Sequence, residues 1–291
     1  MIYYEDEDFQ ADTLGRYYAD FTKSIYSKPH AFDAQGVFYL IAAKQKLYNP
    51  TAIAECAIVA YERMKGGRNE EQEVFEKNIQ WLEQNLTHLE NGTAVWNYQF
   101  DWYHEKAPWS SGIAQGIGIS AMLRAYQFYK ADKYLQYAQR AFAFMNLPKE
   151  QGGKLNTSDT YNHWYDEGNR NHHVLNGHIF SLFGIWDLYR VTKSGMYKSC
   201  FDKGCNCIKN TIADFDLGFF TKYDNRSPMP ANNSYHSIHA VQFRALASIR
   251  TDSFFLQYAD KFDNYNKSYV SRLRNYLYLL RLSIKQKLFS A

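Results

Sequence analysis

The sequence predicts an all-α fold, an α/α toroid formed by a complete or incomplete ring of helical hairpins with a few short strands in its loops. Apolar and aromatic residues recur at helical spacing, the links between these segments are short, and alternating strand patterns are almost absent. Several candidate inner helices begin with small polar residues, as a helix whose N-terminus lines a cavity would. One such domain is expected over residues 1–291. A plain helical bundle is the alternative, because no exact repeat is present.

The first three helices are predicted from apolar stripes and end signals. Apolar and aromatic residues at helical spacing predict a helix over 12–26. Asn49-Pro50 reads as the N-cap and first residue of a helix that runs to about Met64, where Gly66-Gly67 follows. A third helix is expected over 70–86, with glutamates near its positive end.

The rest of the chain continues this pattern after one irregular stretch. Alternating aromatic residues between positions 90 and 108 indicate a short extended segment. Helices are then predicted over 110–129, 134–145, 174–191, 198–215, 234–249 and 268–287.

Composition limits the classes of function. The chain has 291 residues, 18% of them aromatic, and a formal net charge of +3. This charge is too small for a dedicated nucleic-acid-binding protein, so no nucleic-acid partner is expected. The 25 tyrosines favour a site for an amphipathic ligand, because a phenol offers an apolar face and a hydrogen-bonding tip.

The cysteines and the N-terminus indicate a compartment. Cys200, Cys205 and Cys207 crowd one segment, which suits a reducing environment better than a disulfide framework, and a second pair that would complete a metal site is missing. The acidic N-terminus lacks a secretory signal, and no apolar run approaches the roughly 18 residues of a spanning helix. We therefore expect a cytoplasmic protein without a metal ion.

Four polar stretches are candidates for a site. Residues 162–173 place a Trp-Tyr-Asp-Glu run and two histidines before a buried helix. Ser111 and Gln115 share a helix face near a positive dipole end, although the nearby glycines suit close helix packing equally well. Arg226 lies in a loop, where it could bind a carboxylate or pair with Asp224. Tyr235, His239 and Gln242 converge on one face of a later helix.

These stretches resemble a known family. Segments 109–126 (WSSGIAQGIGISAMLRAY), 174–188 (VLNGHIFSLFGIWDL), 223–226 (YDNR) and 235–246 (YHSIHAVQFRAL) look like the C-terminal domain of D-glucuronyl C5-epimerases. The stretch YNPTAIAECAIVAYE is similar to the family's preceding segment. The similarity extends over residues 36–249 in consistent order.

The resemblance implies an α/α toroid that turns glucuronate into iduronate in a heparosan-like polysaccharide or oligosaccharide, without a cofactor. This reaction removes the proton at C5 and returns one to the opposite face, so it needs an acid and a base on opposite sides of the ring. A tyrosine suits the basic role only if its neighbours lower its pKa. By position, the resemblance implies that Glu167, Tyr223 and Tyr235 are catalytic. The implied substrate-binding residues are Trp109, Ser111, Gln115, Tyr165, Asn176, Arg226, His236 and His239.

The sequence departs from the family at Gly168 and in two shorter links, before Val174 and between Tyr223 and Tyr235, and it leaves other functions open. Gly168 follows Glu167 where the family has a further tyrosine, and the candidates to substitute for it are Tyr165 and one histidine of the pair His172-His173. A uronate lyase is one alternative, since it shares the removal of the C5 proton. A non-catalytic carbohydrate-binding protein of surface-polysaccharide biosynthesis is another, and it would need no catalytic residue. A glycoside hydrolase would need two facing carboxylates. Its candidates are Asp101, Glu105, Asp159, Asp166 and Glu167.

The last predicted helix suggests partners. Its leucines alternate with basic residues from Lys267 to Lys287, a pattern that suits closure of the ring or docking on an acidic surface or a membrane-bound polysaccharide synthase. A homodimer is a further expectation.

Overall fold

Ten α-helices and seven short strands are present in the part of the chain that the computed structural model describes, which is residues 3–4, 7–26, 32–42, 44–158, 160–169 and 172–289, with side chains up to residue 284. The helices are α1 (Thr22–Tyr26), α2 (Pro50–Lys65), α3 (Glu71–Gln84), α4 (Gly112–Tyr129), α5 (Asp132–Met145), α6 (Leu175–Thr192), α7 (Gly195–Thr211), α8 (Asn233–Arg250), α9 (Ser253–Lys267) and α10 (Tyr269–Phe289). The strands are β1 (Leu40–Ala42), β2 (Gln45–Leu47), β3 (Leu86–His88), β4 (Ala94–Tyr98), β5 (Trp109–Ser110), β6 (Leu155–Asn156) and β7 (Trp164–Tyr165).

Four helical hairpins form an α/α toroid, which confirms the predicted fold class. The hairpins are α2–α3, α4–α5, α6–α7 and α8–α9, and their first helices follow one another as neighbours in the order α2, α4, α6, α8. The strands form small antiparallel sheets, β1–β2, β3–β4–β5 and β6–β7, in the connections. The extended segment predicted between positions 90 and 108 corresponds to β4. No helix of the described ranges combines the length and the apolar character that crossing a bilayer requires.

Small residues allow α4 and α6, two neighbouring helices of the toroid, to pack closely. A Cβ on Gly184 of α6 would lie 2.3 Å from the Gly116 carbonyl oxygen of α4, and one on Gly116 would lie 2.5 Å from Ser181 Cα. Only glycine fits such a contact between helix backbones. The glycines of this stretch therefore serve close packing, which was one of the two readings open from sequence.

The segment before α1 differs from its prediction. A helix over 12–26 was expected, but only Thr22–Tyr26 is helical. Leu14, Tyr17 and Tyr18 are buried in the core instead, and the Tyr18 hydroxyl donates to Asp187 of α6. The aromatic spacing therefore belongs to an irregular segment, residues 12–21, that fills the core. We call this segment the strap before α1.

A second difference lies near the C-terminus. Helix α9 was not predicted, although Phe255, Ala259 and Phe262 give it a buried stripe against α8. Helix α10 was predicted and is present. It contacts α9 and the loop before α8, and it leaves a large apolar surface exposed.

Candidate active site

A cavity of about 750 Å³ opens where the N-terminal parts of α2, α4, α6 and α8 meet, with α1 and residues 38–40 forming the remaining wall. This volume lies within the usual range for small-molecule and cofactor sites. The side chains of the polar wall come from separate stretches of sequence. They are Asp20, Lys23, Ser24, Asn49, Thr51, Glu55, Glu167, Asn176, Tyr223, Asn233, Ser234, Tyr235 and Ser237.

Glu167 reaches the cavity from the loop after β7. The Gly112 amide at the start of α4 donates to the Asp166 carbonyl at 2.8 Å, which holds this loop above the helix end. The buried Asp166 carboxylate bonds to His173 Nδ1 and to Lys149 Nζ, each at 2.7 Å. Asp166 is therefore an anchor for the loop, and the neighbouring Glu167 lines the cavity.

Tyr223 is placed by a short pairing between two loops. The Leu175 amide donates to the Tyr223 carbonyl at 3.2 Å, and Val174 pairs with Asp224 as an isolated antiparallel bridge. This pairing fixes residue 223 beside the N-terminus of α6. The Tyr223 hydroxyl donates a hydrogen bond of 3.0 Å to Glu167 Oε2.

Tyr235 lies in the first turn of α8. Its amide donates to the N-cap residue Asn232 at 3.0 Å, so the cap fixes the start of the helix and the direction of this side chain. The rings of Tyr223 and Tyr235 are 4.6 Å apart between centroids. Three residues from three chain segments thus meet in the cavity.

The electrostatics of this trio assign different protonation states to its members. Burial raises the pKa of Glu167 to about 7, although the Tyr223 hydrogen bond favours the carboxylate. Burial, together with the nearby Glu167 carboxylate, raises the pKa of Tyr223 and of Tyr235 above the ordinary tyrosine value. A basic role would require a lowered tyrosine pKa, and the site raises the pKa of both tyrosines instead. Both phenols stay protonated and can donate, whereas Glu167 can accept.

Asn176 lines the cavity and contains a buried hydrogen-bonding atom that no described residue satisfies. Its side chain is 3% exposed, and Oδ1 has no hydrogen-bond partner among the described residues. Its backbone carbonyl accepts from Gln242 Nε2 at 3.0 Å, which ties α6 to α8. A buried polar atom without a partner costs stability unless a ligand or water supplies the bond.

Three of the residues expected to bind substrate serve the structure of α4 and the strands β4 and β5 before it. The Ser111 hydroxyl caps this helix by accepting from the Ala114 amide at 3.1 Å. Gln115 bonds through its side-chain amide to both the N–H and the C=O of Trp96, at 3.1 and 3.0 Å. Trp109 stacks on Tyr98 with 3.9 Å between centroids. None of the three lines the cavity.

Four other expected residues also lie away from the cavity wall. The Tyr165 hydroxyl donates to Asn146 Oδ1 at 2.9 Å in the interior, so Tyr165 does not take the place of the absent tyrosine. His236 and His239 are buried, and each places Nδ1 within 2.9 Å of the Thr221 hydroxyl. Arg226 is exposed in its loop, where the Asp224 carboxylate accepts from its backbone amide.

The cavity also contains residues that sequence reasoning missed. Glu55 lies one turn after Thr51 on α2, and the Asn49-Pro50 start signal of an inner helix could have directed attention to it. Asp20 and Lys23 precede and begin the short α1. They could not be found, because the pattern of that segment suggested a longer helix.

The cysteines lie outside this site. All four are free of disulfide bonds, and Cys56, Cys205 and Cys207 are buried. Burial raises the pKa of the Cys207 thiol to about 12, so this side chain is neutral near pH 7. Among the described residues, no group of three or more potential ligands is placed to hold a metal ion.

Gly177 provides the space for the Glu167 carboxylate, and this leads to a prediction. A Cβ on Gly177 would lie 2.5 Å from both Cγ and Oε1 of Glu167. We expect Gly177→Ala to displace the carboxylate by a fraction of an ångström or more and to lower turnover by about 10- to 100-fold. Gly195→Ala, at the open start of α7, is the matched control, because a Cβ there meets no atom within 4 Å. Equal turnover in the two variants would contradict the placement of Glu167.

Solved structures show which class of fold surrounds this cavity. A cellobiose 2-epimerase from Bacillus thermoamylovorans superposes with a TM-score of 0.62 at 12% identity, covering 85% of this chain and 72% of its own. A D-mannose isomerase gives 0.57 at 11% identity, with 84% and 68% covered. A GH76 α-mannanase of Bacteroides thetaiotaomicron gives 0.54 at 13% identity, with 76% and 58% covered. The chain shares the α/α toroid with these enzymes.

Sequence comparison identifies the family. The profile of the D-glucuronyl C5-epimerase C-terminus matches residues 90–264, and the chain belongs to this family. A D-glucuronyl C5-epimerase of Caenorhabditis elegans is 28% identical over 177 residues, which are 54% of this chain and 29% of that protein. An uncharacterized protein of Methanocaldococcus jannaschii is 26% identical over 196 residues, or 65% of this chain and 59% of that protein. The chain thus spans less than two thirds of the length of either relative.

Proposed function

We propose that this protein is a carbohydrate epimerase that inverts C5 of a hexuronic acid residue, glucuronate to iduronate, in a polysaccharide or oligosaccharide. The observation that carries this proposal is the meeting of Glu167, Tyr223 and Tyr235 in one cavity, with 3.0 Å between the Tyr223 hydroxyl and Glu167 Oε2. The three residues occupy the positions that the family resemblance implies. A base and two neutral acids beside a sugar-sized space are what proton removal and return require.

The protonation states suggest how the trio divides the reaction. Glu167 takes the C5 proton, and the electron pair passes into the adjacent carboxylate of the sugar. Tyr235 then gives its hydroxyl proton to the opposite face of C5. The Tyr235 phenolate recovers a proton from Tyr223, and Tyr223 is in turn reprotonated by Glu167 through their hydrogen bond. The proton count balances over the cycle, and the carboxyl and hydroxyl protons of the trio exchange with water between turnovers, so deuterium from the solvent reaches C5.

The uronate carboxylate needs a positive partner while negative charge builds on it. Lys23 is the single cation among the described residues that line the cavity. The N-terminus of α6, which no side chain of the described residues caps, adds partial positive charge from its backbone N–H groups. We propose that these two features, rather than Arg226, hold the substrate carboxylate.

Lys23 gives a test of substrate class. Lys23→Gln is expected to raise KM for a glucuronate polymer by about tenfold, because a charge-assisted hydrogen bond to the carboxylate is lost, and to change kcat less. Lys203→Gln, on the outer helix α7, is the control. An unchanged KM in steady-state kinetics would separate Lys23 from carboxylate binding.

The pH dependence follows from the raised pKa of Glu167. The base must be ionised in the free enzyme, so we expect kcat/KM to rise with pH along a limb with an apparent pKa of about 7. The limb lies near 7 because burial opposes ionisation of this carboxyl. A profile that is already flat at pH 5 would exclude Glu167 as the group that accepts the C5 proton.

The reaction itself is tested by incubation with heparosan in deuterated water. Proton NMR is expected to show deuterium at C5 and the signals of iduronate. Absence of C5 exchange on several glucuronate polymers would contradict the proposal and favour a non-catalytic carbohydrate-binding role. An unsaturated product that absorbs in the ultraviolet would instead identify a lyase, which shares proton removal at C5.

A glycoside hydrolase is a second candidate, because Glu55 and Asp20 present carboxylates to the same cavity as Glu167. Hydrolysis needs two carboxyl groups, one on each side of the glycosidic bond. Of the carboxylates first considered for this role, Asp101, Glu105 and Asp166 do not line the cavity, and Asp159 lies outside the described residues. Release of new reducing ends, abolished by both Glu55→Gln and Glu167→Gln, would favour hydrolysis over epimerisation.

A further inference from the structure

The C-terminal helix α10 packs on the rest of the molecule by one face only. The Tyr278 hydroxyl donates to the Pro228 carbonyl at 3.0 Å, and the Tyr278 ring lies 5.4 Å from that of Phe219. Leu279 and Leu282 are half-buried on the same side. The contacts therefore fix which way the opposite face points.

That opposite face is a continuous apolar surface. Seven large side chains on it are between 47% and 83% exposed: Tyr269, Val270, Leu273, Tyr276, Leu277, Leu280 and Ile284. At about 100° per residue, they fall within an arc of about 120° along four turns of the helix. Single exposed leucines are ordinary, but a contiguous stripe of this size marks a contact surface.

Positive charge borders the stripe on both sides. Arg272 lies at one edge, whereas Arg274 and Arg281 lie at the other, and all three are exposed. Residues 269–289 contain no aspartate or glutamate, and the sequence adds Lys285 and Lys287. An apolar arc with basic edges is the pattern of a helix that lies in the plane of a bilayer surface.

We propose that α10 is a docking surface for a membrane that contains anionic lipids, with the Leu and Tyr stripe in the headgroup region and the arginines on lipid phosphates. Leucines gain from burial there, and tyrosines suit the boundary because their hydroxyls stay hydrated. A second copy of the chain fits the stripe less well. Two α10 helices packed through it would bring arginines of like charge together without an acidic partner from either helix.

The docking surface and the cavity share one loop. Phe219 and Pro228 contact α10, and Tyr223 lies between them in sequence and lines the cavity. Binding to a bilayer would therefore fix the cavity wall relative to the membrane. This inference does not depend on the reaction that the cavity catalyses.

Co-sedimentation of the whole protein with vesicles tests the proposal. We expect binding to vesicles of phosphatidylcholine mixed with phosphatidylglycerol, weak binding to phosphatidylcholine alone, and weaker binding as salt is added. Replacing Arg272, Arg274 and Arg281 by glutamine should reduce affinity by about fivefold for each arginine. The combined change Leu273→Ser, Leu277→Ser and Leu280→Ser should remove binding. Circular dichroism checks that both variants keep their helices.

Leu256→Ser is the matched control, since Leu256 is 44% exposed on the neighbouring helix α9. Its binding should equal that of the wild type. Failure of the wild type to bind anionic vesicles would overturn the proposal. So would a dimer in light scattering that the triple serine variant dissociates while vesicle binding is absent, because that result would assign the stripe to a second copy.

Discussion

Replacing Glu167 by glutamine is expected to lower the rate of C5 exchange by about 10²- to 10⁴-fold, the range that a general base contributes. The amide keeps the size of the side chain but cannot accept the C5 proton. Deuterium incorporation measured by NMR gives the rate. Glu90→Gln makes the same chemical change at an exposed turn and should leave the rate unaltered.

The same variant separates chemistry from folding. Because burial raises the pKa of Glu167 from 4.5 to about 7, this carboxyl lowers the stability of the folded state progressively between pH 4.5 and about 7, and the loss is complete above about pH 7. Glu167→Gln should therefore unfold at no lower urea concentration than the wild type at pH 8. Full activity in a correctly folded Glu167→Gln protein would refute the assignment of the base.

The largest loss of stability is expected from Asp187→Ala. This carboxylate bonds to Arg124 at 3.1 Å and lies 3.4 Å from Arg190, and all three side chains are completely buried. Removing it leaves two buried guanidinium groups without their counter-ion, which costs about 3–5 kcal/mol in the free energy of unfolding. The arginines also bond to carbonyls of Gly15, Ala11 and Thr13, so the strap before α1 should loosen as well.

Urea denaturation measures this effect, and Asp101→Ala is the comparison. Asp101 bonds to Lys106 on the surface, where solvent screens the pair, so its removal should leave the midpoint unchanged. If the two variants unfolded at the same urea concentration, the buried cluster would not hold the strap.

Local signals in the sequence predicted the helices of the toroid well. Asn49-Pro50 marks the start of α2 because the asparagine side chain caps the helix and proline needs no N–H at that position. The small residues of α4 and α6 indicated helices that approach closely or line a cavity, and the structure shows both, with Gly116 and Gly184 at the helix contact and Asn176 at the cavity. Such features depend on residues near one another in sequence, so they can be read without a structure.

Structural features that depend on contacts between distant segments could not be predicted from the sequence. Ser111, Gln115 and His236 are polar residues on or beside helices near the site. Their side chains are hydrogen-bonded within the protein, to the backbone, to Tyr98 or to Thr221. Glu167, Tyr223 and Tyr235 were brought together only by resemblance, since nothing in their spacing predicts a shared cavity. The segment before α1 was predicted as a helix because its buried rings recur at helical spacing, although its backbone is irregular.

The four hairpins supply Glu55, Glu167, Tyr223 and Tyr235 from within or between them, whereas the wall with Asp20, Lys23 and Leu40 lies before the first hairpin. Two separate parts of the chain thus supply the groups proposed to move protons and Lys23, which is proposed to bind the sugar carboxylate. Substitutions at Asp20, Lys23 and Leu40 are therefore expected to change sugar recognition without replacing the residues proposed to move protons. Selectivity and chemistry can in this way diverge independently during evolution.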